Sequence, residues 1–268
     1  MKYRTVMTIA GSDPSGGAGI QADIKTISAL GCYATSAIVA VVDENTVGVT
    51  DVHPVPERFV TGQIRSILDD VGADAVKIGM LHSASLIRAV RRTLDCYPDV
   101  RDIVLDPVMV ATSGDALLEP DAVATLRDVL IPRARIITPN IPEAELLTGS
   151  RIDRQTDLPD VARTLGASGV SVFLKAGHLT DSRLTDIFYN AETGRMTVLE
   201  SDRVDTPNTH GTGCTLSSAI ASWLARGADL DSAARLAKDY IAAAITAGAA
   251  YTIGHGHGPV HHFHAWWQ

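Results

Sequence analysis

Short apolar segments rich in β-branched residues alternate with stretches of helical periodicity along most of this chain. Six segments have strand character, at residues 5–10, 37–42, 74–79, 102–106, 135–138 and 170–175. Between them lie stretches long enough for crossover helices, at residues 18–30, 57–71, 83–95, 120–130 and 157–166. Strands that alternate with helices form a mostly parallel sheet with helices on both faces. The sequence therefore predicts an α/β fold.

The last third of the chain departs from this alternation. Residues 184–190 and 195–201, joined by Ala-Glu-Thr-Gly, predict a hairpin that adds antiparallel strands at one edge of the sheet. Two helical stretches follow, at residues 213–226 and 231–249. No linker or repeat interrupts the chain, and 46% of its 268 residues are hydrophobic, which is enough for one large core. We therefore expect a single domain over residues 1–268.

Charge and cysteine content limit the partners and the compartment. A formal net charge of −8 leaves no basic surface for nucleic acid or for an anionic membrane. No run reaches the roughly 20 apolar residues of a membrane span, and the apolar run near Met1 is too short for a signal peptide. Three widely spaced cysteines, at positions 32, 96 and 214, do not make a disulfide framework. We expect a cytoplasmic protein that acts on small molecules.

Segments that follow the predicted strands are candidate ligand sites, because ligands of parallel sheets bind beyond the carboxyl ends of the strands. The first of these segments reads GSDPSGGAGIQAD. It lacks the spacing of a P-loop or of a dinucleotide fingerprint, but Gly16, Gly17 and Gly19 allow close approach of a ligand to the backbone. Asp23 lies one turn into the following helix. It is either a ligand contact or a carboxylate on the helix surface.

A second glycine-rich segment, NTHGTGCTLSSAI at residues 208–220, predicts an anion site. Gly211 and Gly213 permit a tight turn in which successive amides point to one spot, and the following helix adds the positive end of its dipole. The same field would favour the thiolate of Cys214, as in cysteines that act as bases or nucleophiles. The alternative is a buried, unreactive thiol.

Several motifs occur in one order along nearly the whole chain: TIAGSDPSGGAGIQADIKT, VKIGM, LDPVMVATSGD, TPNIPEAE, KAGH and NTHGTGCTLSSAIA. Together they resemble the hydroxymethylpyrimidine/phosphomethylpyrimidine kinases of thiamine biosynthesis, in the ribokinase-like superfamily. GTGC is similar to the pyrimidine and pyridoxal kinase branch, since most sugar kinases of the superfamily have an aspartate base there. The resemblance implies a three-layer α/β/α fold with antiparallel edge strands, ATP and Mg²⁺ as cofactors, and a hydroxymethyl group as phosphoryl acceptor.

The resemblance also implies a role for each matching residue. Cys214 would take the proton of the acceptor hydroxyl, while the amides of Gly211, Thr212 and Gly213 stabilise the transferring phosphoryl group. The other implied contacts are Asn140, Glu143 and Asp106 for Mg²⁺ through water, Lys175, Asp186 and Thr209 for the nucleotide, and Gly11, Asp23, Glu44, Met80 and Val108 for the pyrimidine. For Lys175 the alternative is a strand-end lysine whose ammonium group is in solvent.

Two positions depart from the family pattern. Thr112 stands where family members often have a lysine, which affects the segment 108–118. Glu44 stands where the family usually has a glutamine that contacts the pyrimidine. A glutamine amide both donates and accepts, whereas an ionised glutamate only accepts. The contact between this residue and a 4-aminopyrimidine should therefore depend on a proton, unless Glu44 turns away from the ring.

The tail GHGHGPVHHFHAWWQ holds five of the nine histidines. Its spacing alone is typical of a metal-binding tract, but GHGPV also resembles the family's C-terminal segment, which favours a structural role. The resemblance further implies a homodimer. Two alternative functions stay open: a pyridoxal or pyridoxine kinase with another ring pocket, and a non-catalytic pyrimidine-binding protein that has kept the fold.

Overall fold

The structure, a computed structural model, describes residues 2–109, 118–119, 121–179 and 181–267. The strands in this part of the chain are β1 (Thr5–Ala10), β2 (Tyr33–Ile38), β3 (Ala40–Glu44), β4 (Val49–Pro54), β5 (Ala75–Ile78), β6 (Ile103–Leu105), β7 (Ile136–Ile137), β8 (Ser171–Leu174), β9 (Arg183–Asn190) and β10 (Arg195–Asp202). The main sheet has the order β10-β9-β8-β7-β6-β5-β1-β2, and β3 and β4 form a separate pair. In the main sheet β1, β2 and β5 to β8 run parallel, β9 is antiparallel to β8, and β10 is antiparallel to β9. The predicted edge hairpin is confirmed.

Helices cover both faces of this sheet. They are α1 (Gly19–Ala29), α2 (Glu57–Asp70), α3 (Ala84–Asp95), α4 (Ala122–Thr125, followed by a π-helical turn over Leu126–Leu130), α5 (Ile141–Thr148), α6 (Leu158–Leu165), α7 (Thr212–Ala225) and α8 (Leu230–Gly248). One apolar core joins α2 to α6 to the sheet, and a second joins α1, α7 and α8 to it. Neighbouring β1 residues Val6 and Met7 belong to opposite cores, as the alternation of strand side chains requires. The predicted three-layer α/β/α fold is confirmed.

The strand predicted at residues 37–42 is instead divided between two sheets. After β2 ends at Ile38, the Val39 amide bonds to the Ala10 carbonyl (3.0 Å), and the chain then leaves the main sheet as β3. Its partner β4 was not predicted, because its residues are exposed or half-buried and show no apolar alternation. The division places Glu44 at the end of a hairpin that stands outside the main sheet.

Helix α5 was also missed, although its start carries recognisable signals. Asn140 is the N-cap residue and Pro142 lies in the first turn, both of which favour a helix start. The polar residues of this segment had indicated only a loop after β7.

The parallel strands bring their carboxyl ends to one edge of the sheet. The loops after β1, β5, β6, β7 and β8 therefore meet there, and Asn140 and Lys175 are joined by an isolated parallel bridge just beyond β7 and β8. Helix α7 packs on β5 and β6, so its N-terminus reaches the same edge. None of the helices in the described ranges is long and apolar enough to cross a bilayer.

Candidate active site

The two glycine-rich segments predicted as ligand loops touch each other. Gly211 has a φ of 76°, in the left-handed region that favours glycine, and a Cβ there would overlap the carbonyl oxygen of Gly17. A Cβ on Gly17 would in turn overlap the His210 ring. Both positions therefore require glycine, and the first loop is held against the start of α7.

The start of α7 presents the predicted backbone amides with one exception. The Thr212 amide donates to the Thr209 carbonyl (3.2 Å), and the Thr212 hydroxyl donates to the same oxygen (2.6 Å). Within the described residues, the amides of Gly211, Gly213 and Cys214 have no hydrogen-bond acceptor, as expected for the first turn of a helix. Of the amides predicted from Gly211 to Cys214, the Thr212 amide is thus already engaged, and the other three are open to an anion.

Cys214 lies at this helix start, but its environment opposes ionisation. Burial raises the pKa of its thiol to about 12, and the nearby carboxylates of Asp23 and Asp106 act in the same direction. Lys77 and the Gly19 amide favour the thiolate, but the pKa of the thiol stays raised despite them. The expectation of a favoured thiolate is therefore wrong for the protein without ligands, because loss of hydration outweighs the field of the helix.

Lys175 and Asp106 form an ion pair beside the anion site. Lys175 Nζ lies 3.1 Å from Asp106 Oδ1, and the same oxygen accepts from the Thr138 hydroxyl (2.8 Å). A Cβ at Gly213 would lie 3.1 Å from Lys175 Nζ, so the amine lies against the first turn of α7. Burial acts to lower the pKa of Lys175, but Asp106 and Glu143 outweigh it and raise that pKa. The ammonium group thus faces the site, and the interpretation of Lys175 as a solvated strand-end lysine is wrong.

Asn140 and Glu143 form a capping box at the start of α5. Glu143 Oε2 accepts from the Asn140 amide (2.8 Å), and Asn140 Oδ1 accepts from the Glu143 amide (2.9 Å). Glu143 is almost completely buried, and burial raises its pKa to about 7 while the charge of Lys175 opposes the rise. Asp106 also raises this pKa, so two carboxylates interact at one place. Such a pair of oxygen donors fits a hard divalent cation such as Mg²⁺.

Asp23 is neither a ligand contact nor a surface carboxylate. It is fully buried, and both of its oxygens lie 2.8 Å from the ammonium group of Lys77. It also accepts from the hydroxyls of Thr8 (2.6 Å) and Ser218 (2.7 Å), so its acceptor positions are occupied by protein. Sequence reasoning missed Lys77, although a lysine inside the apolar run AVKI is a signal for a buried, paired charge.

Asp186 is likewise occupied by protein. Its Oδ1 accepts from the Ala176 amide and its Oδ2 from Lys238 Nζ, both at 2.7 Å, which ties the loop after β8 to helix α8. Asp186 therefore positions this loop, and its direct contact with the nucleotide stays a prediction. Thr209, the other residue predicted on this side, holds the turn before α7 through its carbonyl.

On the predicted pyrimidine side, the structure brings several residues together. A Cβ at Gly11 would lie 2.8 Å from the Met80 methyl group and 3.7 Å from Val42, so these residues line one narrow place. Glu44 ends the adjacent strand β3. Val108 comes two residues after Asp106, to whose carbonyl it donates its amide (2.8 Å). Thr112 lies outside the described residues.

Sequence reasoning missed an ion-pair cluster next to Glu44. His210 Nε2 lies 2.9 Å from Asp13 Oδ2 and 3.8 Å from Glu44 Oε1. Burial opposes protonation of His210, but the bond to Asp13 and the charges of Asp13 and Glu44 raise its pKa. Asp13 also accepts from the amides of Gly17 (3.0 Å) and Ala18 (2.6 Å), so it orders the first loop. Among the described residues, this cluster is the place where at least three His, Cys, Asp or Glu side chains converge closely enough to share an ion, and the tail histidines are not part of it.

Comparison with known proteins agrees with this geometry. Residues 13–261 match the family described as phosphomethylpyrimidine kinase. A hydroxymethylpyrimidine/phosphomethylpyrimidine kinase of Rhizobium meliloti is 47% identical over 264 residues, which cover 98% of both chains.

Solved structures show the same relationship. A Bacillus subtilis pyridoxal kinase, in an ADP complex, has a TM-score of 0.89 at 36% identity, covering 97% of this chain and 98% of that one. A phosphomethylpyrimidine kinase of Clostridium difficile has a TM-score of 0.78 at 42% identity, covering 88% of this chain and 97% of that one. The site motifs, the fold and the full-length similarity thus agree, and this chain belongs to the phosphomethylpyrimidine kinase family.

Proposed function

We propose that this chain transfers the γ-phosphoryl group of ATP to the hydroxymethyl group of 4-amino-5-hydroxymethyl-2-methylpyrimidine, and then phosphorylates the resulting monophosphate, in thiamine biosynthesis. The observation that carries the proposal is the meeting of three features at one sheet edge. These are Cys214, the acceptor-free amides at the start of α7, and the ion pair of Lys175 with Asp106. They occur in a chain that is 47% identical to a kinase named for these substrates.

In this proposal the protein mainly positions and neutralises the transferring group. The amides of Gly211 and Gly213 point at the phosphoryl oxygens, and the positive end of α7 adds to their effect. Lys175 exchanges part of its interaction with Asp106 for the nucleotide phosphates. The thiolate form of Cys214 takes the proton of the acceptor hydroxyl and becomes the thiol. Because the transition state of phosphoryl transfer is loose, this proton moves late, and positioning supplies most of the rate enhancement.

Mg²⁺ is part of the proposal, with Glu143, Asn140 and Asp106 as the residues that would hold it, mainly through water. Their oxygens suit a cation that keeps part of its hydration shell. When bound, the ion neutralises charge on the nucleotide phosphates. The raised pKa of Glu143 supports the assignment, since a cation would relieve the repulsion between this carboxylate and Asp106.

A coupled assay of ATP consumption tests the function directly. Hydroxymethylpyrimidine, its monophosphate and pyridoxal are offered side by side at equal concentrations. We expect the highest kcat/KM for the two pyrimidines. Pyridoxal is the informative third acceptor because pyridoxal kinases are structural neighbours of this chain. A clear preference for pyridoxal would overturn the proposed substrate, and no turnover of any acceptor would favour a binding protein.

The metal assignment predicts the behaviour of Glu143→Gln. A glutamine can still accept the hydrogen bond from the Asn140 amide, so the capping box survives and only the charge is lost. We expect the Mg²⁺ concentration for half-maximal rate to rise by about 10–100-fold, with a much smaller change in acceptor KM. The control is Glu145→Gln on the same helix, whose carboxylate accepts from the Ile152 amide (2.7 Å). An unchanged Mg²⁺ dependence in Glu143→Gln would remove this residue from the metal site.

The unusual glutamate at position 44 predicts a pH-dependent acceptor contact. His210, whose pKa is raised, lies 3.8 Å from Glu44. An ionised Glu44 accepts from the 4-amino group but mismatches an unprotonated ring nitrogen, so the bound ring should carry the extra proton. We therefore expect acceptor KM to be lower at pH 6 than at pH 8.

Glu44→Gln should retain or improve kcat/KM for hydroxymethylpyrimidine at pH 8 and should flatten the dependence of acceptor KM on pH between 6 and 8. Asp51→Asn serves as control, since Asp51 is an exposed acid on β4 of the same hairpin. If Glu44→Gln abolishes turnover at every pH, a cationic acceptor becomes the better candidate for the native substrate.

The same proposal includes one ribokinase-like domain over residues 1–268, a homodimer and a cytoplasmic location. The dimer follows from the family resemblance, and light scattering of the purified chain measures it. The location is supported by the three cysteines, which are all free. Fractionation of cells that produce the chain tests it.

A further inference from the structure

The glycine-rich tail bridges two parts of the site. Residues 254–259, here called the C-terminal strap, lie beside the tip of the β3–β4 hairpin. The amides of His255 and Gly256 donate to Thr46 Oγ1, both at 3.2 Å. The amide of His257 donates to the Thr46 carbonyl at 2.7 Å. One residue at the hairpin tip thus accepts three hydrogen bonds from the strap.

The other end of the strap holds the loop that leads into α7. The amide of His210 donates to the Gly258 carbonyl (3.0 Å), and His210 forms an isolated parallel bridge with Pro259. Two residues earlier, the Asn208 side chain donates to the carbonyls of Gly248 (2.8 Å) and Tyr251 (2.7 Å), where α8 ends. The strap is therefore fixed to the loop that positions Gly211.

The repeated Gly-His pattern follows from this packing. A Cβ on Gly254 would overlap the Thr46 side chain, and a Cβ on Gly256 would overlap the Thr46 carbonyl. A Cβ on Gly258 would overlap the side-chain oxygen of Asn208. The histidines between these glycines, His255 and His257, are exposed. The pattern is thus explained by close backbone approach rather than by metal binding.

Thr46 is two residues beyond Glu44, and His210 immediately precedes Gly211. The His210 ring reaches back to Asp13 (2.9 Å) and to Glu44 (3.8 Å). The loop that leads into α7, residues 208–211, is here called the anion loop. The hairpin, the strap and the anion loop thus form a closed set of contacts around the acceptor side of the site. Asn45 makes the hairpin tip rigid, because its side chain accepts from the amides of Val47 (2.8 Å) and Gly48 (3.3 Å).

We propose that Thr46 is a positioning residue for the acceptor: through the C-terminal strap it holds the β3–β4 hairpin, and with it Glu44, in register with the anion loop. The inference rests on the proposed function in one respect, namely that Glu44 faces the acceptor. The nucleotide side of the site, with Lys175 and Asp106, does not depend on these contacts. Loss of Thr46 should therefore affect the two substrates unequally.

The test is Thr46→Val, which keeps the shape and the carbonyl but removes the side-chain acceptor of two strap amides. We expect acceptor KM to rise by about 5–30-fold, as the loss of two hydrogen bonds implies, with ATP KM changed less than about twofold. The matched control is Thr50→Val in β4, whose hydroxyl donates to Asp43 of the hairpin and not to the strap. This control should leave both constants unchanged.

Amide hydrogen exchange supplies a readout that does not require turnover. In Thr46→Val the amides of His255 and Gly256 should exchange faster, while the main sheet keeps its protection. A second variant, Gly256→Ala, forces a methyl group against the Thr46 carbonyl and should raise acceptor KM in the same direction.

Equal acceptor KM in Thr46→Val and wild type would overturn the positioning role, as would equal changes in the KM of both substrates. If wild type does not phosphorylate the pyrimidine at all, the proposed function fails instead. In that case unchanged exchange at residues 255 and 256 would still overturn the coupling, and faster exchange would support it.

Discussion

Replacement of Cys214 by alanine is expected to lower the rate of phosphoryl transfer by about 10²–10⁴-fold, the usual cost of losing a general base. ATP affinity should be nearly unchanged, because the amides of Gly211 and Gly213 and the Lys175–Asp106 pair remain. Single-turnover rates with hydroxymethylpyrimidine give the first quantity, and calorimetric titration with ATP gives the second.

The pH dependence of the transfer rate shows whether Cys214 acts as a base or only fills space. Burial raises the pKa of the Cys214 thiol to about 12, so the thiolate fraction increases with pH over the whole neutral range. At saturating acceptor, the wild-type rate of phosphoryl transfer should therefore rise with pH from 6 to 9, and the rate of Cys214→Ala should lose this dependence.

Alkylation adds a chemical check, in a Cys96→Ser background that removes the exposed thiol. Modification of Cys214 should be slow at pH 7, should accelerate as pH rises, and should be slowed by bound acceptor. Near-native turnover by Cys214→Ala would show that the base assignment is wrong. The amides and Lys175 would then account for the catalysis.

For Cys214, the sequence predicts the anion site around the residue but not the pKa of its thiol. Two glycines before a cysteine and a small-residue helix predict the anion site, because backbone geometry depends on local residue type. The pKa of the thiol depends on how deeply the loop is buried and on charges distant in sequence, such as the carboxylates of Asp23 and Asp106, which raise it. Local spacing carries no information on that burial, and the predicted direction was accordingly wrong.

The same distinction applies to the two predicted aspartates. Motif position placed Asp23 and Asp186 near the ligands; in the structure Asp23 lies in the first turns of α1 and Asp186 lies within β9. Their oxygens are nevertheless taken by Lys77 and Lys238, which come from other parts of the chain. A sequence motif therefore predicts which region of the fold a carboxylate lies in, but it does not predict which charged side chain the carboxylate pairs with.

For the fold, the buried strands were predictable because each is a continuous apolar run. Strand β4 was not predicted, since it pairs only with β3 and exposes most of its residues. Helix α5 is short, and its capping residues coincide with the motif that was assigned to metal binding. Asn140 and Glu143 thus form the helix cap and are also the residues assigned to the metal, and a sequence pattern alone does not distinguish these two roles.

The second large effect is expected from the buried pair beneath Cys214. Lys77 and Asp23 are both fully buried, with Nζ 2.8 Å from each carboxylate oxygen. Burial opposes the charge of Lys77, yet the attraction of Asp23 raises its pKa. Lys77→Met keeps the volume but leaves an uncompensated carboxylate, so we expect a loss of about 3–5 kcal/mol in the free energy of unfolding.

Urea denaturation measures this loss, and Arg127→Met is the control. Arg127 pairs with Asp128 at 2.8 Å, but both side chains are more than half exposed, so little change is expected. A comparably small loss in Lys77→Met would contradict the description of a buried pair that the fold depends on.

The double variant Lys77→Met with Asp23→Asn separates stability from catalysis. Without either charge no desolvation penalty remains, and the asparagine oxygen can still accept from Thr8 or Ser218, so most of the lost stability should return. Activity should not return with it, because Lys77 is the charge that favours the Cys214 thiolate. If stability and turnover recover together, Lys77 acts only on the fold. If stability alone recovers, the buried lysine also sets the proton affinity of the catalytic thiol.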